Sequence, residues 1–293
     1  MKNSQYPLSI LLILSVFLQL NAQQGSVLNS QTIKSAILKQ GMKYNVYLPN
    51  GYQKSQKRYP VLYLLHGYSG NETDWVKIGK ADSMANKLME TKAIPEMIIV
   101  MPDGRNDYYL NTFDGKVKYE DYFIKELVPH VDSTFRTKPE RASRALAGLS
   151  MGGYGAALYS LKHTEMFSVG VGLSSAIRTD EAMIALSDSL FDSRFEGKLG
   201  LKLRGQSKVN DYYQKNSVLK LIETMPESTL KATRWYFDCG DDDYLIEGSC
   251  TLHVLMNKRK IPHEFRVRDG AHDWTYWRTA LPDVLKFVGL SFK

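Results

Sequence analysis

Short apolar runs alternate along the chain with segments in which hydrophobic residues recur every three or four positions. Several runs, such as Val61–Leu65, are apolar throughout, which is typical of strands buried on both faces of a parallel sheet. The predicted strands are Tyr44–Leu48, Val61–Leu65, Met97–Met101, Arg144–Leu149, Val169–Leu173, Arg234–Cys239 and Glu264–Arg268. The predicted helices between them are Ala81–Glu90, Glu120–Val131, Tyr154–Leu161, Leu245–Lys258 and Trp274–Val288.

This alternation predicts an α/β fold, a doubly wound and mostly parallel sheet flanked by helices. The segment Thr179–Lys231 breaks the rhythm, because it holds helical fragments at Glu181–Leu190 and Val209–Thr224 and no convincing strand. We interpret it as a small, cap-like helical insertion over the carboxyl edge of the sheet. Residues 23–293 are therefore predicted to form a single α/β domain with an insertion at 179–231.

The first residues are typical of a secretory signal peptide. Lys2 supplies a positive start, Leu8–Leu20 is almost wholly apolar, and Ala22 places a small residue at the cleavage position. The apolar run is shorter than the ~20 residues that a spanning helix needs. We therefore expect a signal peptide over residues 1–22, cleaved after Ala22, and a secreted or periplasmic protein. An uncleaved membrane anchor is the alternative.

Composition narrows the class of protein further. With 43% hydrophobic and 24% charged residues the chain is globular rather than disordered. Its net charge of +7 is spread along the chain, which argues against a nucleic-acid groove and is compatible with an acidic polysaccharide partner or with solubility alone. Two cysteines exclude a four-thiolate zinc site. Export would permit a disulfide, but Cys239 ends a strand and Cys250 lies in a helix, so two buried free thiols are expected.

The candidate chemistry begins at Ser150. Residues 148–152 read Gly-x-Ser-x-Gly directly after a predicted strand and before a predicted helix, the setting of a nucleophile elbow. Glycine at 148 and 152 would let the backbones cross closely in so tight a turn. Ser150 is therefore the candidate nucleophile.

A serine hydroxyl needs a base, and in such folds the base follows an acid along the chain. Among the histidines after Ser150, only His272 lies just past the last strand and before a helix. The acid belongs in the loop after the preceding strand, where Asp241, Asp242 and Asp243 are adjacent. Spacing alone leaves these three aspartates open.

Backbone amides complete the candidate site. The loop after strand Val61–Leu65 occupies the position from which this type of fold donates one N–H to an oxyanion, and Tyr68 is the expected donor. The second expected donor is the N–H of Met151, the residue after the nucleophile. His66 is expected to brace the loop rather than act as a base.

Together these motifs resemble the putative-esterase family of α/β-hydrolases, over a stretch from about Lys43 to Phe287. The resemblance is carried by His66-Gly67, Tyr119–Tyr122, Glu126–Pro129, Gly148–Gly155, Gly270–Trp274 and Trp277. The family includes feruloyl esterases, acetyl-xylan esterases, tributyrin-type esterases and S-formylglutathione hydrolase, also called esterase D. The resemblance implies the α/β-hydrolase fold, a Ser-Asp-His triad, no cofactor and hydrolysis of carboxylic esters. Its acid commonly stands three residues after the glycine that ends a strand, which implies Asp243 after Gly240.

The expected function is thus a secreted serine carboxylesterase that acts on small-molecule or carbohydrate esters, with feruloyl or acetyl groups on carbohydrate as the preferred substrates. A general short-chain esterase of the tributyrin type and an acyltransferase of the mycolyltransferase type are alternatives. An S-formylglutathione hydrolase is a further alternative, disfavoured by the predicted export because that substrate is cytosolic. A non-catalytic carbohydrate-binding protein is disfavoured because every triad member is present. No dinucleotide motif or metal-spaced cluster is found, so no cofactor, no metal, no nucleic acid and, after signal cleavage, no membrane partner is expected.

Overall fold

A mixed sheet of eight strands runs through the computed structural model, which describes residues 25–292. The predicted signal peptide lies outside the described residues. The strands are β1 (Ser26–Ser35), β2 (Gln40–Leu48), β3 (Val61–Leu65), β4 (Ile98–Pro102), β5 (Arg144–Leu149), β6 (Val169–Leu173), β7 (Arg234–Gly240) and β8 (His263–Arg268). Their order across the sheet is β1-β2-β4-β3-β5-β6-β7-β8.

The sheet is parallel from β4 to β8, and only β1 and β2 run antiparallel to their neighbours. The predicted mostly parallel α/β sheet is confirmed. Strand β1 was not predicted, because it is an edge strand that pairs only with β2 and most of its residues are partly or fully exposed. Its sequence accordingly lacks a continuous apolar run.

Helices cover both faces of the sheet. Along β3, Val61 and Tyr63 pack into one hydrophobic cluster while Leu62 and Leu64 pack into the other, which explains the unbroken apolar run. The helices are α1 (Asp74–Lys77), α2 (Ala81–Glu90), α3 (Tyr119–Tyr122), α4 (Val128–Thr134), α5 (Met151–Lys162), α6 (Asp180–Ala185), α7 (Asp188–Phe195), α8 (Asp211–Asn216), α9 (Val218–Thr224), α10 (Glu227–Lys231), α11 (Ile246–Lys258) and α12 (Trp274–Gly289). Helices α2 and α12 cover the face of Leu62, whereas α4, α5, α7, α9 and α11 cover that of Val61.

The insertion between β6 and β7 is helical, but its helices are shorter than predicted. The predicted helix Glu181–Leu190 is divided into α6 and α7, because the Ser187 side chain accepts a hydrogen bond from the Leu190 N–H and begins a new helix. Ser217 divides the predicted helix Val209–Thr224 in the same way by accepting from the Lys220 N–H. Both serines are N-caps, which end one helix as they start the next. The role of the insertion as a cap stays a prediction.

One of the sequence motifs stabilises the turn at the sheet edge, and another bonds to the loop that follows β4. The carboxylate of Glu126, in the π-helical turn Phe123–Leu127 that joins α3 to α4, accepts hydrogen bonds from the Ser35 hydroxyl (2.5 Å) and from the amides of Ala36 (3.0 Å) and Ile37 (3.1 Å). It therefore holds the turn between β1 and β2. From the same motif region, the buried Tyr119 hydroxyl donates to the Asp103 carbonyl at 2.9 Å.

Both cysteines are free, as expected, but only Cys239 is buried. Cys250 is exposed, which corrects the expectation of two buried thiols: α11 buries the stripe that includes Leu252 and Met256, and Cys250 lies off that stripe. Burial raises the pKa of the Cys239 thiol to about 12. Within residues 25–292, no helix combines the length and the apolar character that crossing a membrane would require.

Candidate active site

The carboxyl ends of the parallel strands meet at one edge of the sheet, and the candidate residues lie in the loops that leave this edge. Ser150 follows β5, Asp243 follows β7 and His272 follows β8, while Tyr68 lies in the loop after β3. Parallel strands bring residues that are distant in sequence together at this edge. The topology thus accounts for the convergence of four separate segments.

Ser150 occupies a strained turn between β5 and α5. Its φ of 52° and ψ of −118° lie outside the regions that non-glycine residues favour. The turn is fixed by hydrogen bonds, since the Ser150 N–H donates to the Leu173 carbonyl (2.8 Å) and its carbonyl accepts from the Ala176 N–H (2.9 Å). The strain is therefore held in place by the neighbouring strand β6, and the side chain faces the cleft described below.

The two glycines of the elbow are required by close backbone contacts. A Cβ atom at Gly148 would collide with the backbone of Gly152, and one at Gly152 would collide with the carbonyls of Leu65 and His66. Any side chain at either position would push β5, α5 and the loop after β3 apart. The structure therefore contains the close backbone crossing that the sequence predicts at the elbow.

A chain of hydrogen bonds joins the serine, the histidine and one aspartate. Ser150 Oγ lies 2.9 Å from His272 Nε2, and His272 Nδ1 lies 2.8 Å from Asp243 Oδ2 and 3.0 Å from Oδ1. The Ser150 residue is 8% exposed and Asp243 is 1% exposed. A proton can thus pass from the hydroxyl to the imidazole, whose other nitrogen is oriented by a buried carboxylate.

Asp243 is kept ionised in spite of its burial. Burial raises the pKa of the carboxyl, but hydrogen bonds from His272, from the Ser174 hydroxyl and from the Leu245 N–H (2.8 Å) outweigh it, so that the pKa is lowered. Ser174 also accepts a hydrogen bond from the Trp277 indole N–H at 3.0 Å. A carboxylate held in this way stays negative and can stabilise a protonated imidazole.

The two neighbouring aspartates point elsewhere. Asp241 and Asp242 are exposed, and Asp241 Oδ1 accepts the Gly270 N–H at 3.0 Å, which supports the loop that carries His272. Their carboxylates and that of Asp269 form an acidic group whose oxygens lie within 4.8 Å of one another. It is the only group of three or more potential metal ligands in residues 25–292, and all three residues are exposed.

Two backbone amides near Ser150, in the adjacent residue Met151 and in the cleft-lining Tyr68, have no acceptor among residues 25–292. Neither the Tyr68 N–H nor the Met151 N–H is paired with any acceptor in the described part of the chain. The adjacent loop is braced by buried His66, whose Nδ1 lies 2.7 Å from the Gly67 carbonyl and whose Nε2 accepts the Gly104 N–H at 2.7 Å. Both ring nitrogens of His66 are thus used in holding the loop.

Ser150 and His272 open into a cleft of about 320 Å³. One wall comes from the insertion, through Leu186, Leu190 and Phe195. The cleft also contains five aromatic and two cationic side chains: Tyr68, Tyr108, Tyr244, Trp274, Trp277, Arg178 and Arg194. Tyr244 is 66% exposed and its ring centroid lies 4.6 Å from that of His272.

Three of the five residues predicted for the site, Tyr68, Ser150 and His272, line this cleft. Asp243 reaches it only through its hydrogen bond to His272, and Met151 follows Ser150 at the start of α5, outside the cleft lining.

The sequence analysis missed Ser174, which binds the acid, and the two arginines Arg178 and Arg194. Ser174 directly follows β6 and Arg178 lies in the same loop, so their place after a buried strand was a usable signal. Arg194 had none, because it lies in a helix of the insertion whose path the sequence does not reveal.

Comparison with known proteins agrees with this arrangement. The model of a family described as "Putative esterase" matches residues 35–288. An endo-1,4-beta-xylanase/feruloyl esterase from Xylanibacter ruminicola is 44% identical over 131 residues, which are 42% of this chain and 18% of that protein. An acetyl esterase from Caldicellulosiruptor saccharolyticus is 25% identical over 239 residues, covering 78% of this chain and 82% of that one.

A solved structure of a ferulic acid esterase is similar over nearly the whole chain. It is 32% identical, covers 92% of this chain and 99% of its own, and superimposes with a TM-score of 0.78. The first relative is much longer, and this chain spans less than a fifth of its length. The family match nevertheless extends over most of the sheet, the elbow and the histidine loop. The chain therefore belongs to the putative esterase family and has the α/β-hydrolase fold.

Proposed function

We propose that the protein is a serine carboxylesterase in which Ser150 is the nucleophile, His272 the general base and Asp243 the acid that orients it. The observation that carries this proposal is the continuous Ser150–His272–Asp243 hydrogen-bond chain, buried at one end and open to a cleft at the other. Family membership supports hydrolysis of carboxylic esters as the reaction class.

In the proposed reaction His272 Nε2 accepts the Ser150 proton while Oγ bonds to the ester carbonyl carbon. The carbonyl oxygen then carries a negative charge, which the free amides of Tyr68 and Met151 stabilise at about 3 kcal/mol each. His272 next gives its proton to the alcohol oxygen as the ester bond breaks. Water repeats the sequence on the acyl-serine, releasing the acid and restoring the hydroxyl. The mechanism needs no cofactor.

The proposed substrates are feruloyl or acetyl esters of carbohydrates met outside the cytoplasm. The names of the Xylanibacter relative and of the similar ferulic acid esterase structure support the feruloyl group, and the Caldicellulosiruptor acetyl esterase supports the acetyl group. The apolar and aromatic walls of the cleft suit a phenolic acyl group or a sugar ring. Residues 1–22 support export, which N-terminal sequencing of the secreted protein would test by finding Gln23 first.

The substrate class is tested by comparing kcat/KM for methyl ferulate, acetylated xylan, tributyrin and S-formylglutathione, with acid release as the readout. We expect the first two to exceed tributyrin. A preference for tributyrin over both carbohydrate-type esters would favour the short-chain esterase alternative, and a preference for the thioester would favour the S-formylglutathione hydrolase alternative. Transfer of the acyl group to an added sugar in place of water would favour the acyltransferase.

A further inference from the structure

Two arginines line the cleft without an acidic partner. Arg178 and Arg194 both face the space that contains Ser150 and His272. No Asp or Glu in residues 25–292 forms an ion pair with either guanidinium. The other arginine of the insertion, Arg204, is paired with Asp188 and Asp192, and the buried Lys208 is paired with Asp188.

Arg178 is tied to the nucleophile through the backbone. Two residues before it, the Ala176 N–H donates to the Ser150 carbonyl at 2.9 Å. Its own carbonyl accepts the Tyr213 hydroxyl at 3.1 Å, which fixes the segment from the insertion side. The backbone around Arg178 is thus held on both sides, and its side chain enters the cleft beside the reacting serine.

Arg194 reaches the same cleft from α7. Its guanidinium carbon lies 3.9 Å from the centroid of the Tyr68 ring, so the planar group stacks on a residue that lines the same cleft as Ser150. Burial raises the pKa of Tyr244, and the positive charges of Arg178 and Arg194 both lower it. Burial likewise raises the pKa of Tyr108, and Arg194 and Arg178 lower it, which indicates that both charges lie close to the cleft tyrosines.

A half-buried guanidinium with no counter-ion loses part of its hydration without compensation. Guanidinium groups match carboxylates in shape and charge and bind them with paired hydrogen bonds. The one carboxylate that lines the cleft, that of Asp74, lies against Gly70 in the loop after β3 and forms an ion pair with neither arginine. The arginines therefore present a positive surface to whatever occupies the cleft.

We propose that Arg178 and Arg194 form an anion subsite and that the preferred ester carries a carboxylate close to the scissile bond. The inference rests on the proposed esterase function and narrows its substrate class. The carboxylate belongs either to the alcohol, as in a uronic acid unit of a polysaccharide, or to the acyl group. Both sources offer the same planar anion to the guanidinium groups.

Two pairs of esters, identical in size but different in charge, test the subsite and separate the two sources. 4-Acetoxybenzoate and 4-acetoxybenzamide differ in the alcohol, whereas methyl 4-carboxycinnamate and methyl 4-carbamoylcinnamate differ in the acyl group. We expect the wild type to prefer the carboxylate in at least one pair by about tenfold or more in kcat/KM. The preference should shrink as salt rises toward about 0.5 M.

The variants Arg178→Gln and Arg194→Gln should each reduce the preference, and the double variant should bring it near unity. Lys215→Gln is the matched control, because Lys215 is exposed on α8 and its loss changes the net charge equally. The readout is the ratio within each pair, so a general loss of activity does not imitate the result. Should the double variant fold poorly, the two single variants and inhibition of the wild type by terephthalate against terephthalamide provide the same comparison.

A wild type that hydrolyses both members of each pair equally would overturn the subsite and leave the esterase proposal intact. So would a preference that survives in the double variant. Failure of the wild type to hydrolyse any ester, including 4-nitrophenyl acetate, would instead contradict the proposed function itself. The two failures are therefore distinguishable.

Discussion

At the scale of single residues, three adjacent aspartates differ only in what surrounds them. Asp243 is buried and bonded to His272, whereas Asp241 and Asp242 are exposed. Asp243→Asn should lower kcat by about 10⁴-fold, because an amide favours the wrong imidazole tautomer. Asp241→Asn and Asp242→Asn are the matched controls and should each cost less than about tenfold. Steady-state kinetics on 4-nitrophenyl acetate measure all three, and equal losses would contradict the assignment.

The lowered pKa of Asp243 also has a consequence for stability. Because the folded-state pKa lies below the unfolded one, the ionised carboxylate stabilises the folded chain above the unfolded value. That contribution is lost as the pH falls through the folded-state pKa. The difference in unfolding free energy between wild type and Asp243→Asn should therefore shrink as the pH falls from about 6 to about 3. Urea titrations at each pH measure it, and a difference independent of pH would refute this reading.

The residues of the triad were predictable because each follows a strand that the sequence identifies, although β8, the strand before His272, has no apolar run. The choice of Asp243 needed the family resemblance, since the spacing of three consecutive carboxylates carries no information about which one is buried. Arg178, Arg194 and Ser174 were missed because their role depends on side chains that meet only in the folded chain. Local sequence cannot show that a guanidinium lacks a partner.

At the scale of elements, the turn between β1 and β2 depends on one distant carboxylate. Glu126 accepts three hydrogen bonds from residues 35–37, so Glu126→Ala leaves those donors unpaired. We expect a loss of about 1–3 kcal/mol in unfolding free energy, with activity per folded molecule retained. Glu223→Ala, which removes an exposed carboxylate paired with Lys220, should leave the unfolding free energy nearly unchanged. A comparable loss in both variants would contradict this account of the turn.

Elements were predictable where burial imposes a pattern. The strands β3 to β7 have mostly apolar runs, whereas the edge strand β8 has only Phe265 and Val267 between charged residues, and the sequence located all six within a residue or two. Strand β1, at the other edge, escaped because most of its residues are polar and at least partly exposed. The helices predicted in the insertion are too long, because Ser187 and Ser217 start new helices by accepting hydrogen bonds with their side chains. A hydrophobic pattern does not reveal such bonds.

At the scale of the whole molecule, the fold divides the two cysteines into one accessible and one inaccessible thiol. Cys250 is exposed, whereas Cys239 is buried with its pKa raised to about 12. A thiol-specific disulfide reagent should therefore modify one cysteine rapidly in the native chain and two after unfolding. The variant Cys250→Ser should show no rapid reaction. Rapid modification of both thiols in the folded wild type would contradict the packing around β7.

The central claim, that Ser150 is the nucleophile of an acyl-enzyme, is tested most directly by covalent labelling with a fluorophosphonate. The account predicts one adduct per chain, mapped to Ser150, together with its disappearance in Ser150→Ala and a loss of at least about 10⁴-fold in turnover of 4-nitrophenyl acetate. Circular dichroism would establish that this variant retains the fold. Labelling that persists in Ser150→Ala, or that maps to another residue in the wild type, would contradict the account.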